Sequence, residues 1–209
     1  MELIMVYGDV MNTETTKNYR KYRYSTPLKK LILSQFGAAM LGIMTSMPTL
    51  TISDSGYTLG LLTSALSVAF LLYLQYTAMW ELAAKDRIAI DGGRLREDKS
   101  LGLKAAFFAN VPTMGLALIA IAFKGLHLLT EAGWANSVYT VAYAADLMWN
   151  YMYHGLLIFI VPESPASPLF LLYLASFILL TLPSMICCLL AYRMGLSGKR
   201  IIPEKKKEN

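Results

Sequence analysis

Four stretches of this chain carry no Asp, Glu, Lys or Arg over lengths that match a lipid bilayer: Leu31–Leu50, Tyr57–Trp80, Ala105–Phe123 and Leu169–Tyr192. About 20 apolar residues in helical form cross a hydrocarbon core of about 30 Å. The helix of a soluble domain returns a polar face on every turn, and these runs do not. In lipid the backbone must satisfy its own hydrogen bonds, so such runs are expected to be helices. The alternating strands of a membrane β-barrel, each of about ten residues, have no counterpart here. Composition agrees, with 56% hydrophobic and 16% charged residues, where soluble domains average about 25% charged.

A fifth run, Val138–Val161, has similar length but holds two ionisable residues, Asp146 and His154. The expected fold is therefore an all-α polytopic transmembrane helical bundle of five apolar helical segments. The alternative is four spans plus one re-entrant or shallow segment. Length favours a fifth crossing, and charge favours the alternative. Basic residues gather in a leader (Lys17, Arg20, Lys21, Arg23, Lys29, Lys30), in the loop Glu81–Lys104, and in a tail that includes Arg193, Lys199, Arg200 and Lys205–Lys207. Thr51–Gly56 and Pro162–Pro168 have none, and Lys124–Ser137 has one. Basic flanks stay in the cytoplasm. Five crossings would put the basic tail outside, whereas four keep all three clusters inside.

The organisation read from this pattern is a polar basic leader at 1–30, a single membrane domain at 31–194 with a charged cytoplasmic loop at 81–104, and a basic tail at 195–209. A cell-membrane location follows, with the N-terminus and that loop cytoplasmic. Met1–Val10 is apolar for a leader, and no small-x-small cleavage site marks a signal peptide. The net charge of +5 comes from membrane-flanking clusters without interleaved exposed aromatics, so the expected partner is the bilayer and not nucleic acid. Pro27 opens the first run, Pro48 closes it and Pro168 starts the last. Pro112 and Pro183 fall inside runs and predict kinks.

Two constellations stand out. Ser34, Ala38, Gly42 and Ser46 recur every four residues and make a seam of small side chains. Such seams let helix backbones approach closely in lipid, either against another helix of this chain or against another membrane protein. In the fourth run, Tyr139, Tyr143, Asp146, Asn150, Tyr153 and His154 fall on one arc of a helix, with Asp146, Asn150 and His154 at spacings of four. An ionisable group inside a membrane faces the protein interior or water. The stripe can bind a polar solute, relay protons or hold a cation, or it can serve as an interhelical hydrogen-bond network.

Enzyme chemistry is not expected. The chain lacks a Gly-x-Ser-x-Gly elbow and a His-Glu-x-x-His motif. His127 and His154 share no metal-ligand spacing. Asp86, Asp91, Gly92 and Arg94 do not complete the Asp-rich signature of the CDP-alcohol phosphatidyltransferases. No cofactor or metal is expected. Cys187 and Cys188 are adjacent on a helix, so their side chains diverge and a disulfide between them is not expected.

The charged loop mixes both signs and reads as a self-neutralising cytoplasmic turn, with Gly92-Gly93 permitting a tight bend. Trp80, the Asp-containing loop with Gly92-Gly93, and the later Tyr192-Arg193-Met194-Gly195 together resemble a group of small multi-span proteins of Gram-positive bacteria. Those proteins follow a second span with Trp, a charged loop and Gly, and end near a Tyr-x-x-Gly turn. The resemblance implies no particular activity. The functional expectation is a small transport-related membrane subunit with its polar stripe on the fourth segment. The alternative is a structural or regulatory accessory membrane protein.

Overall fold

The computed structural model describes residues 25–45, 56–160 and 170–199. Among these, every regular element is helical. The elements are α1 (25–45), α2 (Gly56–Asp91), α3 (Leu101–Thr130), α4 (Gly133–Trp149), a 3₁₀ turn (Tyr151–Tyr153), α5 (His154–Ile160), α6 (Phe170–Leu179) and α7 (Thr181–Leu196). Three helical stretches are long and apolar enough to cross a membrane: Thr58–Asp91, Leu101–Thr130 and Leu174–Leu196. The last takes in α7 and most of α6, which are separated at Leu180. Large apolar side chains point outward, among them Leu33, Met44, Leu66, Val141 and Leu172. The leader before residue 25, the loops at 46–55 and 161–169, and the tail from residue 200 lie outside the described residues, and Ser46, Pro48 and Pro168 with them.

Contacts fix the helix directions. Lys30 Nζ lies 3.0 Å from Glu81 Oε2, and Trp80 Nε1 donates to the Lys199 carbonyl at 2.8 Å. The start of α1 and the ends of α2 and α7 therefore share one end of the bundle. Cys187 reaches the Leu72 carbonyl at 3.4 Å and Gly195 packs on Trp80 and Ala83, so α2 and α7 run parallel. Gly102 packs on Cys188 and Tyr192, while Asn110 meets Ser184, so α3 runs antiparallel to α7. Gln35 bonds Asn110 at 2.8 Å, Leu31 shares a core layer with Leu101, and Ala38 shares the other layer with Ala117. Hence α1 runs parallel to α3.

Two apolar layers form the core. One surrounds Leu31, Met79, Leu101 and Tyr192 near the basic end. The other surrounds Ala38, Leu71, Ala120, Leu157 and Phe177 in the opposite half.

The structure corrects the expected charged loop. The 36 residues of α2 are about 54 Å long at 1.5 Å each, so the helix runs through Glu81 to Asp91 before turning. Arg87 and Asp91, one turn apart at 3.7 Å, belong to this extension. Its end is a Schellman closure: Arg94 N–H bonds Ala89 O at 2.9 Å and Gly93 N–H bonds Ile90 O at 2.9 Å. Gly93 has φ +69°, a conformation that costs glycine little. The true turn is therefore residues 92–100. Asp86, expected in an exposed self-neutralising turn, is fully buried and accepts a 2.6 Å bond from Tyr192 Oη.

The fourth run, expected either as a fifth crossing helix or as a re-entrant or shallow segment, is divided. α4 stops at Trp149, and Asn150 (φ −104°, ψ 16°) leaves the helical conformation. Asn150 N–H still closes the helical bond to the Asp146 carbonyl at 2.9 Å, and Asn150 Nδ2 joins the same carbonyl at 3.1 Å; the next backbone bond, Tyr153 N–H to Asn150 O at 2.8 Å, is of the tighter 3₁₀ kind. Beyond it the chain turns back. Met152 lies against Gly42, and Gly155 against Gly60 and Ser64, near the start of α2. From Trp149 to Gly155 the backbone thus moves toward the end from which α4 descended.

Proline behaves unequally. α3 continues through Pro112 without interruption, so the expected kink does not break that helix. The last run is interrupted at Leu180, one turn ahead of Pro183.

The seam residues Ser34, Ala38 and Gly42 are buried within the chain. A Cβ on Gly42 would lie 2.7 Å from Met152 Cα, so this face receives the break in the fourth segment.

Candidate functional site

The interruption at Asn150 lies at the same depth as the interruption at Leu180 and as Pro112, which α3 accommodates without breaking. The link between Asn110 and Ser184 (3.4 Å) aligns Pro112 with the Leu180–Pro183 region. Lys124 Nζ sits 4.8 Å from the Tyr139 ring centroid, and Phe123 meets Trp134 edge to face at 5.8 Å. These contacts set the antiparallel register of α3 and α4. About three helical turns further along each helix come Thr113 on α3 and Asn150 on α4. The breaks at Asn150 and Leu180 thus fall at one depth, and paired breaks of this kind are a pattern by which transporters open backbone and side-chain groups to a buried site.

Polar residues collect around this level. Trp149 Nε1 donates to Gln35 Oε1 at 3.3 Å, and Gln35 Nε2 donates to Asn110 Oδ1 at 2.8 Å. Asn110 Nδ2 in turn donates to Ala106 O at 2.8 Å and to Ser184 Oγ at 3.4 Å. Side chains of α1, α3, α4 and α7 are joined in one buried network. Such a closed network holds helices in register, because unsatisfied polar groups are expensive away from water.

Asp146 differs from that network. It is fully buried. Asn150 Nδ2 donates to its Oδ1 at 2.9 Å, and its Oδ2 has no hydrogen-bond partner among the described residues. Thr113 Oγ1 is likewise buried and without a partner there. That is unusual for threonine in this chain. Thr45, Thr63, Thr77, Thr130, Thr140 and Thr181 each return the hydroxyl to a carbonyl of the preceding turn.

The stripe read from the sequence is kept in part. Tyr139 and Tyr143 stack with ring centroids 5.8 Å apart, and Asp146 in the last turn of α4 pairs with Asn150, the residue that follows the helix. Tyr153 and His154 lie beyond the break, so they leave the arc of α4. Tyr153 is buried in the core layer of Ala38 and Phe177. His154 stacks on Tyr151 at 4.8 Å. The sequence reading missed Gln35, Asn110, Thr113 and Ser184. Each is an uncharged polar residue inside a charge-free run, so a scan for charge passes over it. A count of Gln and Asn within the apolar runs would have found the first two.

Among the described residues, no three His, Cys, Asp or Glu side chains come together as metal ligands. No protein-family model, curated protein or solved structure matches the chain.

Proposed function

We propose that this is a transport-related integral membrane protein with four crossings, α1, α2, α3 and α6–α7, and a fourth segment that enters the bilayer and returns. In this reading the tip of the re-entrant segment, Asp146 to Tyr153, forms the wall of a polar site half-way across. The basic ends of α1, α2 and α7 face the cytoplasm, which removes the charge conflict of a five-crossing chain.

The observation that carries the reading is Asp146: a carboxylate buried in the bundle beside a helix break, with one oxygen left open. Insertion scales put an aspartate at the bilayer centre at about 2.5–3.5 kcal/mol, and such residues mark solute or ion pathways. A purely structural carboxylate would be expected to have both oxygens satisfied, as the network of Gln35, Asn110 and Ser184 is satisfied.

Thiol labelling tests this. In a background lacking Cys187 and Cys188, single cysteines at Ser137 and Ser167 flank the fourth segment. An impermeant reagent applied to intact cells should label both, because re-entry leaves them on one side. A cysteine at Thr113 should react with a small water-soluble reagent despite its burial, because a path leads to it. Labelling of Ser137 and Ser167 from opposite faces would defeat the topology, and an inert Thr113 cysteine would defeat the path.

A further inference from the structure

Resting on that reading, we propose that the site binds one monovalent alkali-metal cation, for which sodium is the probe, held between the Asp146 carboxylate and the Thr113 hydroxyl.

The two oxygens without partners point to this ligand. Asp146 Oδ2 and Thr113 Oγ1 are both buried and both lack a partner among the described residues. They sit on facing helices within about one turn of the same depth, by the register that Lys124 and Tyr139 set. Asn150 takes the other carboxylate oxygen at 2.9 Å and so fixes the orientation of Asp146, leaving Oδ2 free to coordinate. Carboxylate and hydroxyl oxygens are hard ligands and suit alkali and alkaline-earth cations. One carboxylate matches one positive charge. A divalent ion would leave excess charge in a low-dielectric interior. The buried base of this region, Lys124, lies over the face of Tyr139, about two helical turns from Asp146 along α4, so its position does not fill the open oxygen. Threonine contributes a neutral oxygen without adding charge, and its departure from the back-bonding seen at six other threonines leaves that oxygen available.

The experiment uses the full chain in nanodiscs at fixed pH. Thermal unfolding is followed as sodium chloride replaces N-methylglucamine chloride at constant ionic strength. Sodium should raise the melting temperature saturably, since a ligand that binds the folded state stabilises it by mass action. Asp146→Asn should melt at a similar temperature without sodium and show no sodium response. Thr113→Val should weaken the sodium midpoint by about tenfold, the equivalent of one lost ligand oxygen, while preserving the response. The assignment fails if the wild type shows no saturable sodium shift, or if the shift persists in Asp146→Asn. It also fails if acidification stabilises the wild type through Asp146 while sodium does nothing, which would make the ligand a proton. The thiol-labelling pattern at Ser137, Ser167 and Thr113 needs no cation, so it can hold while this assignment falls.

Discussion

Tyr192 donates its phenolic hydrogen to Asp86 at 2.6 Å, and both side chains are fully buried. The bond ties α7 to the extension of α2 beyond Trp80, where Gly195 packs on Ala83 and Trp80. Hydrogen bonds to carboxylates contribute more than neutral ones, and interhelical polar bonds in membrane proteins contribute less than their isolation suggests. We expect Tyr192→Phe to lower stability by about 1–2 kcal/mol in detergent unfolding. Asp86→Ala should lower it further, because Tyr192 Oη is then left buried without this acceptor. The double variant should lose less than the sum of the two. Additive losses would mean that the two residues act separately.

Gly42 and Gly37 lie five positions apart on α1 and meet different surroundings. A Cβ on Gly42 would come within 2.7 Å of Met152 Cα and 2.8 Å of Met152 N, whereas one on Gly37 meets nothing within 4 Å. Main-chain atoms cannot move aside as a flexible side chain does. Gly42→Ala should therefore destabilise by about 1–3 kcal/mol, while Gly37→Ala should be neutral or slightly stabilising through its helix propensity. Gly42→Leu should be worse again, and worse than Leu41→Ala. Equal melting temperatures for the two alanine variants would show that the fourth segment does not rest on Gly42.

Asp98 organises the start of α3 from outside the helix. The Ser100 hydroxyl donates to its Oδ1 at 2.6 Å and the Ser100 N–H at 3.0 Å, and Lys104 Nζ reaches Oδ2 at 2.9 Å. The Ser100 side-chain bond is the largest influence and, with Lys104, lowers the Asp98 carboxyl from 3.8 to about 2 against the upward effect of partial burial. The sign follows from linkage: a carboxyl with a depressed folded value contributes stability above its unfolded value and loses it as pH falls through the folded one. Its contribution is fully present at neutral pH and disappears between about pH 4 and pH 2. Asp98→Asn should be less stable than the wild type at neutral pH, and the difference should shrink across that window. A constant gap in acid titrations followed by circular dichroism would place the effect elsewhere.

How much of this was legible in the sequence depends on which signal carried it. The absence of charge over spans of bilayer length located α2, α3 and the last run, because lipid excludes charge regardless of tertiary detail. At Gly42 the small-residue spacing coincides with a close approach of the Met152 backbone, and Ser34 and Ala38 are buried on the same helix. The division of the fourth run was not legible. Beyond it Met152 seats against Gly42, a contact between distant segments that leaves no mark in hydropathy. Asp86 was misread for a related reason: charge alone does not show that α2 continues past the apolar run and carries this carboxylate inward to Tyr192. The pairing of Asp146 with Asn150 was readable from their spacing of four, and the open oxygen of Asp146 was not, because it depends on what the facing helix leaves unbonded.

That pairing has a direction that can be reversed. Asn150 Nδ2 is the donor and Asp146 Oδ1 the acceptor, at 2.9 Å, with both residues buried. Asn150→Asp replaces the donor with a second carboxylate and sets two acidic groups side by side out of water. Such a change should cost more than about 2 kcal/mol and reduce the yield of folded protein, since an unpaired buried charge is among the most damaging substitutions. Adding Asp146→Asn to that variant exchanges the two residues and restores one donor and one acceptor across the same gap. The exchanged variant should recover most of the folded yield and melting temperature. Recovery should stop short of complete, because Asn150 also donates to the Asp146 carbonyl at 3.1 Å and an aspartate at 150 cannot. Size-exclusion profiles and thermal unfolding of the single and exchanged variants decide the matter. An exchanged variant as damaged as Asn150→Asp alone would mean that this pair does not hold the break in the fourth segment.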